Sequence, residues 1–228
     1  QTPAIKQKSG KEMMAEALTG RIRSDSSMFR QGAKNATEAS NIASIVANSS
    51  SAILTNLNQM LTLAQEVKAD STKGAADAPK FTALAQGITS TIANSKYNGI
   101  SLLDKSGWTG DSRLTVSGGG STASLKIQVG YDSSTFTLND MSYLNSLSSV
   151  DLSSGTLDLN ALISNLSTYI TTATIIYNGN TALSTAYANE SAFLAKQADI
   201  LTKAAKDAMP DEEDPLLRDL GSIISTTS

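Results

Sequence analysis

One stripe constrains this chain more than anything else in it. Leu159, Ile163, Leu166, Ile170, Ala173, Tyr177, Asn180, Ser184, Tyr187, Ser191, Leu194, Ala198, Leu201 and Ala205 succeed one another in alternating steps of four and three. That spacing is a heptad-like seam and predicts one long helix over about 157–208. At about 1.5 Å per residue, a helix of roughly 50 residues reaches some 75 Å. Asn180, Ser184 and Ser191 are small or polar, thin the seam and let another helix come close. Asn178-Gly179 lies inside and allows a local bend, because glycine costs about 1 kcal/mol against alanine in a helix.

A second seam lies early in the chain. Residues 10–70 contain no proline, and from Ala39 the positions Ala39, Ile42, Val46, Ile53, Leu57, Met60, Ala64 and Val67 mark one helical face. Ser49 or Ser50 interrupts it with a small polar residue. Upstream, Met13, Met14, Ala17, Leu18, Ile22 and Phe29 extend the pattern into the same rod. Turn residues over 70–79 read as a connector. A shorter helix over 79–95 is expected next, with Pro79 in its first turn and Phe81, Leu84, Ala85, Ile88 and Ile92 facing inward.

Between 97 and 155 the period changes. Tyr97-Asn98-Gly99 is a turn signal, and Leu114–Val116, Leu125–Val129 and Thr135–Leu138 read as short strands, separated by Gly118-Gly119-Gly120 and by 132–134. Leu125, Ile127 and Val129 alternate with Lys126 and Gln128, which predicts a sheet with one buried face. Residues 141–155 leave room only for a loop. The segment 209–228 reads as an acidic turn and then a short helix, capped by Asp214 and begun by Pro215. The expected fold is mainly α with a small β region. It is a single elongated domain over 1–228, an antiparallel bundle of two long helices and one or two shorter ones, capped by a short antiparallel sheet or hairpin.

Composition narrows the chemistry. The chain has no Cys and no His, which removes disulfides, thiolate or imidazole metal sites and every Ser-His or Cys-His nucleophile pair. A net charge of −3 with no basic run gives nucleic acid no electrostatic footing. No apolar stretch approaches the roughly 18 residues of a membrane span, and no Sec signal opens the chain. Gln1 in place of Met leads us to expect a processed or cut chain. The run Asp211-Glu212-Glu213-Asp214 lacks the alternating oxygen spacing of a calcium loop and reads as solvated acids at a helix start. No Gly-Lys-Ser/Thr signature comes after the glycine triplet, so it reads as a hairpin turn. Trp108, Tyr131 and Tyr143 read as packing of the sheet on the helices, with stacking on a sugar as the alternative. No catalytic, cofactor-binding or metal-binding residue is assigned, and an enzyme is not expected.

With the motifs in view, the sequence resembles bacterial flagellin. Arg30-Gln-Gly-Ala-Lys34-Asn35-Ala-Thr-Glu-Ala-Ser-Asn-Ile-Ala is similar to the family stretch that leads into the long first helix of the rod domain. Ala17-Leu-Thr-Gly-Arg21-Ile22 matches an upstream Arg spacing. Tyr97-Asn98-Gly99-Ile-Ser-Leu102-Leu103-Asp104 resembles the family's aromatic-Asn-Gly-x-x-Leu-Leu-Asp turn, and Leu125-Lys-Ile-Gln-Val-Gly130 its Ile-Gln-Val-Gly strand. The resemblance covers nearly the whole chain. It implies a rod-only member, without the terminal inner-tube segments and the large variable surface domains. The segment 59–66 also lacks the arginines by which the family is recognised by an animal innate receptor.

What the resemblance implies is structural. The expected function is a subunit of the bacterial flagellar filament that self-assembles through rod contacts for motility. Its expected location is extracellular, after passage through a type III export apparatus with an export chaperone. Other flagellin subunits are the expected partners, and the fragment itself is expected to be monomeric. Arg21, Arg30, Lys34, Asn35, Tyr97, Asn98, Gly99, Leu102 and Leu103 are the candidate subunit-contact or family-motif residues. The alternative reading is a cell-surface flagellin homologue that binds a ligand such as polysaccharide.

Overall fold

The structure is a computed structural model that describes residues 7–209. It is mainly α with two small antiparallel sheets. Helix α1 spans Gly10–Ala69, α2 spans Gly74–Asn94 and α3 spans Leu159–Ala208. Strands β1 (Lys96–Tyr97) and β2 (Ile100–Ser101) form a hairpin, while β3 (Leu114–Ser117), β4 (Thr122–Val129) and β5 (Asp132–Asn139) form a meander.

The start of α1 is written in Ser9-Gly-Lys-Glu12. The Ser9 hydroxyl accepts from the Glu12 amide at 3.1 Å, and the Glu12 carboxylate accepts from the Ser9 amide at 3.2 Å. This capping box satisfies two of the amide donors that a helix start leaves over. Asp158 caps α3 by a single bond, its carboxylate accepting from the Ala161 amide at 3.0 Å. α3 passes through Asn178-Gly179 without interruption.

The two long helices run antiparallel. Ser26 bonds at Ala198 and Thr202, Ser191 donates to the Ala33 carbonyl, and Ser40 donates to the Ser184 carbonyl, so numbers rise on one helix as they fall on the other. The seam therefore has two textures. From Ser26 to Ala47 it is mostly alanine with Ile42 and Val46, and hydroxyl pairs such as Thr37–Ser191 and Ser44–Ser184 link the two helices. From Ile53 to Val67 it is aliphatic, and Phe81, Ala85, Ile88 and Ile92 of α2 join Leu162, Leu166 and Ala173 of α3 around it. Each fully buried large side chain there contributes about 1.5–3 kcal/mol of transfer free energy.

The β region packs on the middle of α1. Ala123 and Ile127 of β4 are buried while Lys126 and Gln128 face out, as the alternation requires. The glycine triplet makes the β3–β4 turn with positive φ at all three residues. Phe136 and Leu138 extend the buried face onto β5.

Four expectations are corrected. The connector is only Asp70 to Lys73, an Asx turn in which Asp70 accepts from the Thr72 amide, and α2 begins at Gly74. Gly74 is needed there because a Cβ would lie 3.0 Å from the Leu152 carbonyl oxygen. Pro79 thus stands inside α2, where it cannot donate to the Ala75 carbonyl. Residues 132–134 do not separate strands but pair with 127–129, and the turn is Gly130-Tyr131. Gly130 has φ of +77°, the first-position glycine of a II′-type hairpin. Residues 141–155 are not simply a loop, since Ser142–Ser149 form a 3-10 helix. Met141, Leu144 and Leu147 are buried at its period of three, against α2. Finally, Met13, Met14 and Leu18 face solvent rather than a seam. The acidic run and the short terminal helix expected over 209–228 lie outside the described residues.

Candidate functional site

The most specific motif folds into the most constrained turn. Asn98 and Gly99 both have positive φ, 48° and 75°, and link the paired residues Tyr97 and Ile100. Two left-handed residues in a two-residue loop are the type I′ hairpin that an Asn-Gly pair favours. The chain then dives inward: Leu102 and Leu103 are wholly buried in the core, and the Leu103 carbonyl accepts from the Met141 amide. Their role is packing.

Arg113 holds this turn from outside. Its Nε and Nη2 donate to the two carboxylate oxygens of Asp111 at 2.9 and 2.7 Å, and its Nη1 donates to the Asn98 carbonyl at 2.9 Å. The bidentate pair keeps the Asp111 carboxyl down at about 2. A crevice of about 280 Å³ lies beside the turn, lined by Asn35, Glu38, Tyr97, Asn98, Arg113, Lys126 and Gln128 among others. Asn35 closes its floor by donating to the Gln128 carbonyl at 3.0 Å while accepting from Gln31. Burial, and secondarily the charge of Glu38, push the Tyr97 phenol above its ordinary value.

Three of the sequence-derived candidates, Asn35, Tyr97 and Asn98, therefore meet at one crevice, which Gly99 does not line. Arg21, Arg30 and Lys34 do not join them. Arg30 is engaged within the chain, donating to the Thr202 hydroxyl at 2.8 Å and to Asp199 at 3.4 Å. Lys34 and Arg21 are exposed on α1, and the Arg21 charge reaches the Tyr131 phenol. Glu38, Arg113, Lys126 and Gln128 are the crevice residues that sequence reasoning missed. The Asp111-Ser-Arg113 spacing signals a local Asx turn, but nothing in the sequence signals that the same arginine reaches back to Asn98.

Chemically the crevice is a set of hydrogen-bonding groups. It offers amides, one phenol, two cations and one carboxylate, with no nucleophile beside a base. Trp108 does not contribute: it is 1% exposed and its indole nitrogen donates to the Ser101 carbonyl at 2.8 Å. Among the described residues, no group of three acids is placed to hold a metal ion, and no helix is long and apolar enough to cross a membrane.

No family model matches this chain, and no curated protein matches it in sequence.

Proposed function

We propose that this chain is the rod domain of a flagellin-type filament subunit, a structural protein rather than an enzyme. The observation that carries the reading is the long antiparallel α1–α3 pair, with large apolar side chains left on its outer face. α1, with 60 residues, reaches about 90 Å. Ile175, Phe193 and Ile200 of α3 stand more than half exposed, although the inner seam of the same helix is closed. A rod has much surface for its volume, and such outward residues suit contact with further copies. The Tyr97-Asn98-Gly99 hairpin and the Leu125–Gly130 strand support the family reading through their sequence. Extracellular location, type III export and chaperone binding belong to this proposal and rest only on the resemblance.

The test is assembly. The complete gene product, concentrated with salt and viewed by negative-stain electron microscopy, is expected to form filaments of uniform width. Dispersed particles under the same conditions would reject the proposal.

The crevice at Tyr97 favours a second reading, glycan binding, because amides, a phenol and cations, all groups that can hydrogen-bond a hydroxyl, line it together. Titration calorimetry with soluble polysaccharides decides it. Heat that disappears on Lys126→Ala supports it, and no heat removes it.

A further inference from the structure

The tripeptide Tyr-Asn-Gly occurs twice in the chain, at 97–99 and at 177–179, and no other asparagine precedes a glycine. An asparagine before glycine is open to attack by the next amide nitrogen, because glycine carries no Cβ to shield that nitrogen. The two copies lie in opposite settings. Asn178-Gly179 sits within α3, where the Gly179 amide is a helical donor and the helix fixes the asparagine backbone. Asn98-Gly99 forms the tip of the β1–β2 hairpin, and both residues are exposed. Among the described residues the Gly99 amide donates to nothing, and the Asn98 side chain has no hydrogen-bond partner. A Cβ on Gly99 would meet nothing within 4 Å. Only two residue pairs, Lys96 with Ser101 and Tyr97 with Ile100, hold the turn, so its backbone rotates at little cost.

A cation sits on this peptide group. The Asn98 carbonyl and the Gly99 amide belong to one peptide unit, and the Arg113 guanidinium donates to that carbonyl at 2.9 Å. The Asp111 carboxylate takes two further donors of Arg113 and aims it. When the Gly99 amide loses its proton, negative charge spreads onto the Asn98 carbonyl oxygen. The Arg113 bond then joins opposite charges and strengthens. Arg113 therefore favours the deprotonated nucleophile over the resting amide.

We propose that Asn98 is a site at which this chain modifies itself, and that Arg113 assists the step. The Gly99 amide gives its proton to hydroxide, and its nitrogen attacks Cγ of Asn98. A nitrogen–carbon bond forms, the Cγ–Nδ2 bond breaks, and Nδ2 takes a proton from water and leaves as ammonia. Water then opens the cyclic imide at either of its carbonyls, which gives aspartate or isoaspartate. The net change is water consumed and ammonia released, with no oxidation. Either product adds a carboxylate to the crevice that Glu38, Arg113 and Lys126 line. Isoaspartate also lengthens the main chain by a carbon inside a two-residue loop, which breaks the Tyr97–Ile100 pairing. The step is independent of the filament reading.

The full 228-residue chain, held at mildly alkaline pH and mapped by mass spectrometry over time, tests the site. Asn98 is expected to convert about tenfold faster than Asn178, or more, since α3 must first open locally around Gly179. In urea the two identical tripeptides should converge in rate. Equal native rates, or a faster Asn178, would overturn the proposal. Arg113→Gln separates assistance from mere clamping of the turn. It is expected to slow conversion at Asn98 by about fivefold, the worth of one exposed ionic contact. It should slow hydrogen exchange at the Gly99 amide in parallel, because exchange at an unbonded amide reads its acidity. Conversion that is unchanged or faster in the variant would overturn the part given to Arg113. Trp108 emission matching the parent shows that the variant keeps its β region.

Discussion

Gly32 of α1 and Gly130 of the β4–β5 turn meet backbone against backbone. A Cβ on Gly32 would lie 2.6 Å from the Gly130 amide nitrogen and 3.2 Å from the Val129 carbonyl carbon. The neighbours are main chain, so they cannot swing aside. Gly32→Ala is therefore expected to cost about 1–3 kcal/mol through overpacking. Gly20, on the same helix, has nothing within 4 Å of its would-be Cβ. There alanine should add about 0.5–1 kcal/mol by removing glycine's freedom in the unfolded chain. Urea unfolding of the two variants reads the opposite signs; a shared sign would disprove the close approach.

Serines on the α1–α3 seam are not equivalent. The Ser50 hydroxyl is wholly buried and finds no partner, whereas the Ser184 hydroxyl pairs with Ser44 at 2.7 Å. Ser50→Ala removes an unsatisfied polar atom and improves helix propensity, so it should stabilise by up to about 1 kcal/mol. Ser184→Ala leaves the Ser44 hydroxyl without that partner and should cost about 0.5–1.5 kcal/mol. Thermal unfolding at neutral pH distinguishes them by direction alone.

Trp108 serves as an internal reporter of the β region. Its indole is buried and donates to the Ser101 carbonyl. Emission should be blue-shifted and poorly quenched by acrylamide, with or without added polysaccharide. Trp108→Phe leaves that carbonyl without its donor and should cost about 1–3 kcal/mol. Strong quenching in the native protein would contradict the packing.

How much was legible in the sequence depends on how local each cause is. The seams of α1 and α3 could be read because a helical face repeats every few residues, and nearly every seam position from Ala39 onward is buried or half-buried. The Asn98-Gly99 hairpin could be read because positive φ at two adjacent residues has a residue-type signature. The start of α2 could not, because Pro79 suggested a first turn while Gly74 is set by its approach to Leu152, far along the chain. The exposure of Met13, Met14 and Leu18 was hidden for a similar reason. Helical spacing marks a face, but only the position of the α3 terminus decides whether anything covers it. At the crevice, Asn35, Tyr97 and Asn98 came from motifs, and Glu38 and Lys126 stand in the same quoted stretches without being singled out, whereas the reach of Arg113 back to Asn98 arises only from tertiary folding.

Acid should weaken the hairpin region through Asp111. Its carboxyl titrates at about 2 in the folded protein against an ordinary 3.8, held down chiefly by the side-chain hydrogen bonds from Arg113. A depressed folded value means that the unfolded chain takes up the proton first. The stabilisation is thus complete above about pH 4 and is lost as the pH falls towards 2. Asp70 and Asp151 are also lowered, by the hydroxyl and amide of Thr72 and of Ser153, so the whole protein will lose stability over the acidic range. Asp111→Asn isolates one contribution. The variant should melt below the parent at pH 6, and the gap should close as both are taken from pH 4 to pH 2. Arg113 stays charged throughout, so it does not blur the comparison. A gap in melting temperature that stays constant with pH would show that the Asp111–Arg113 pair does not form in solution.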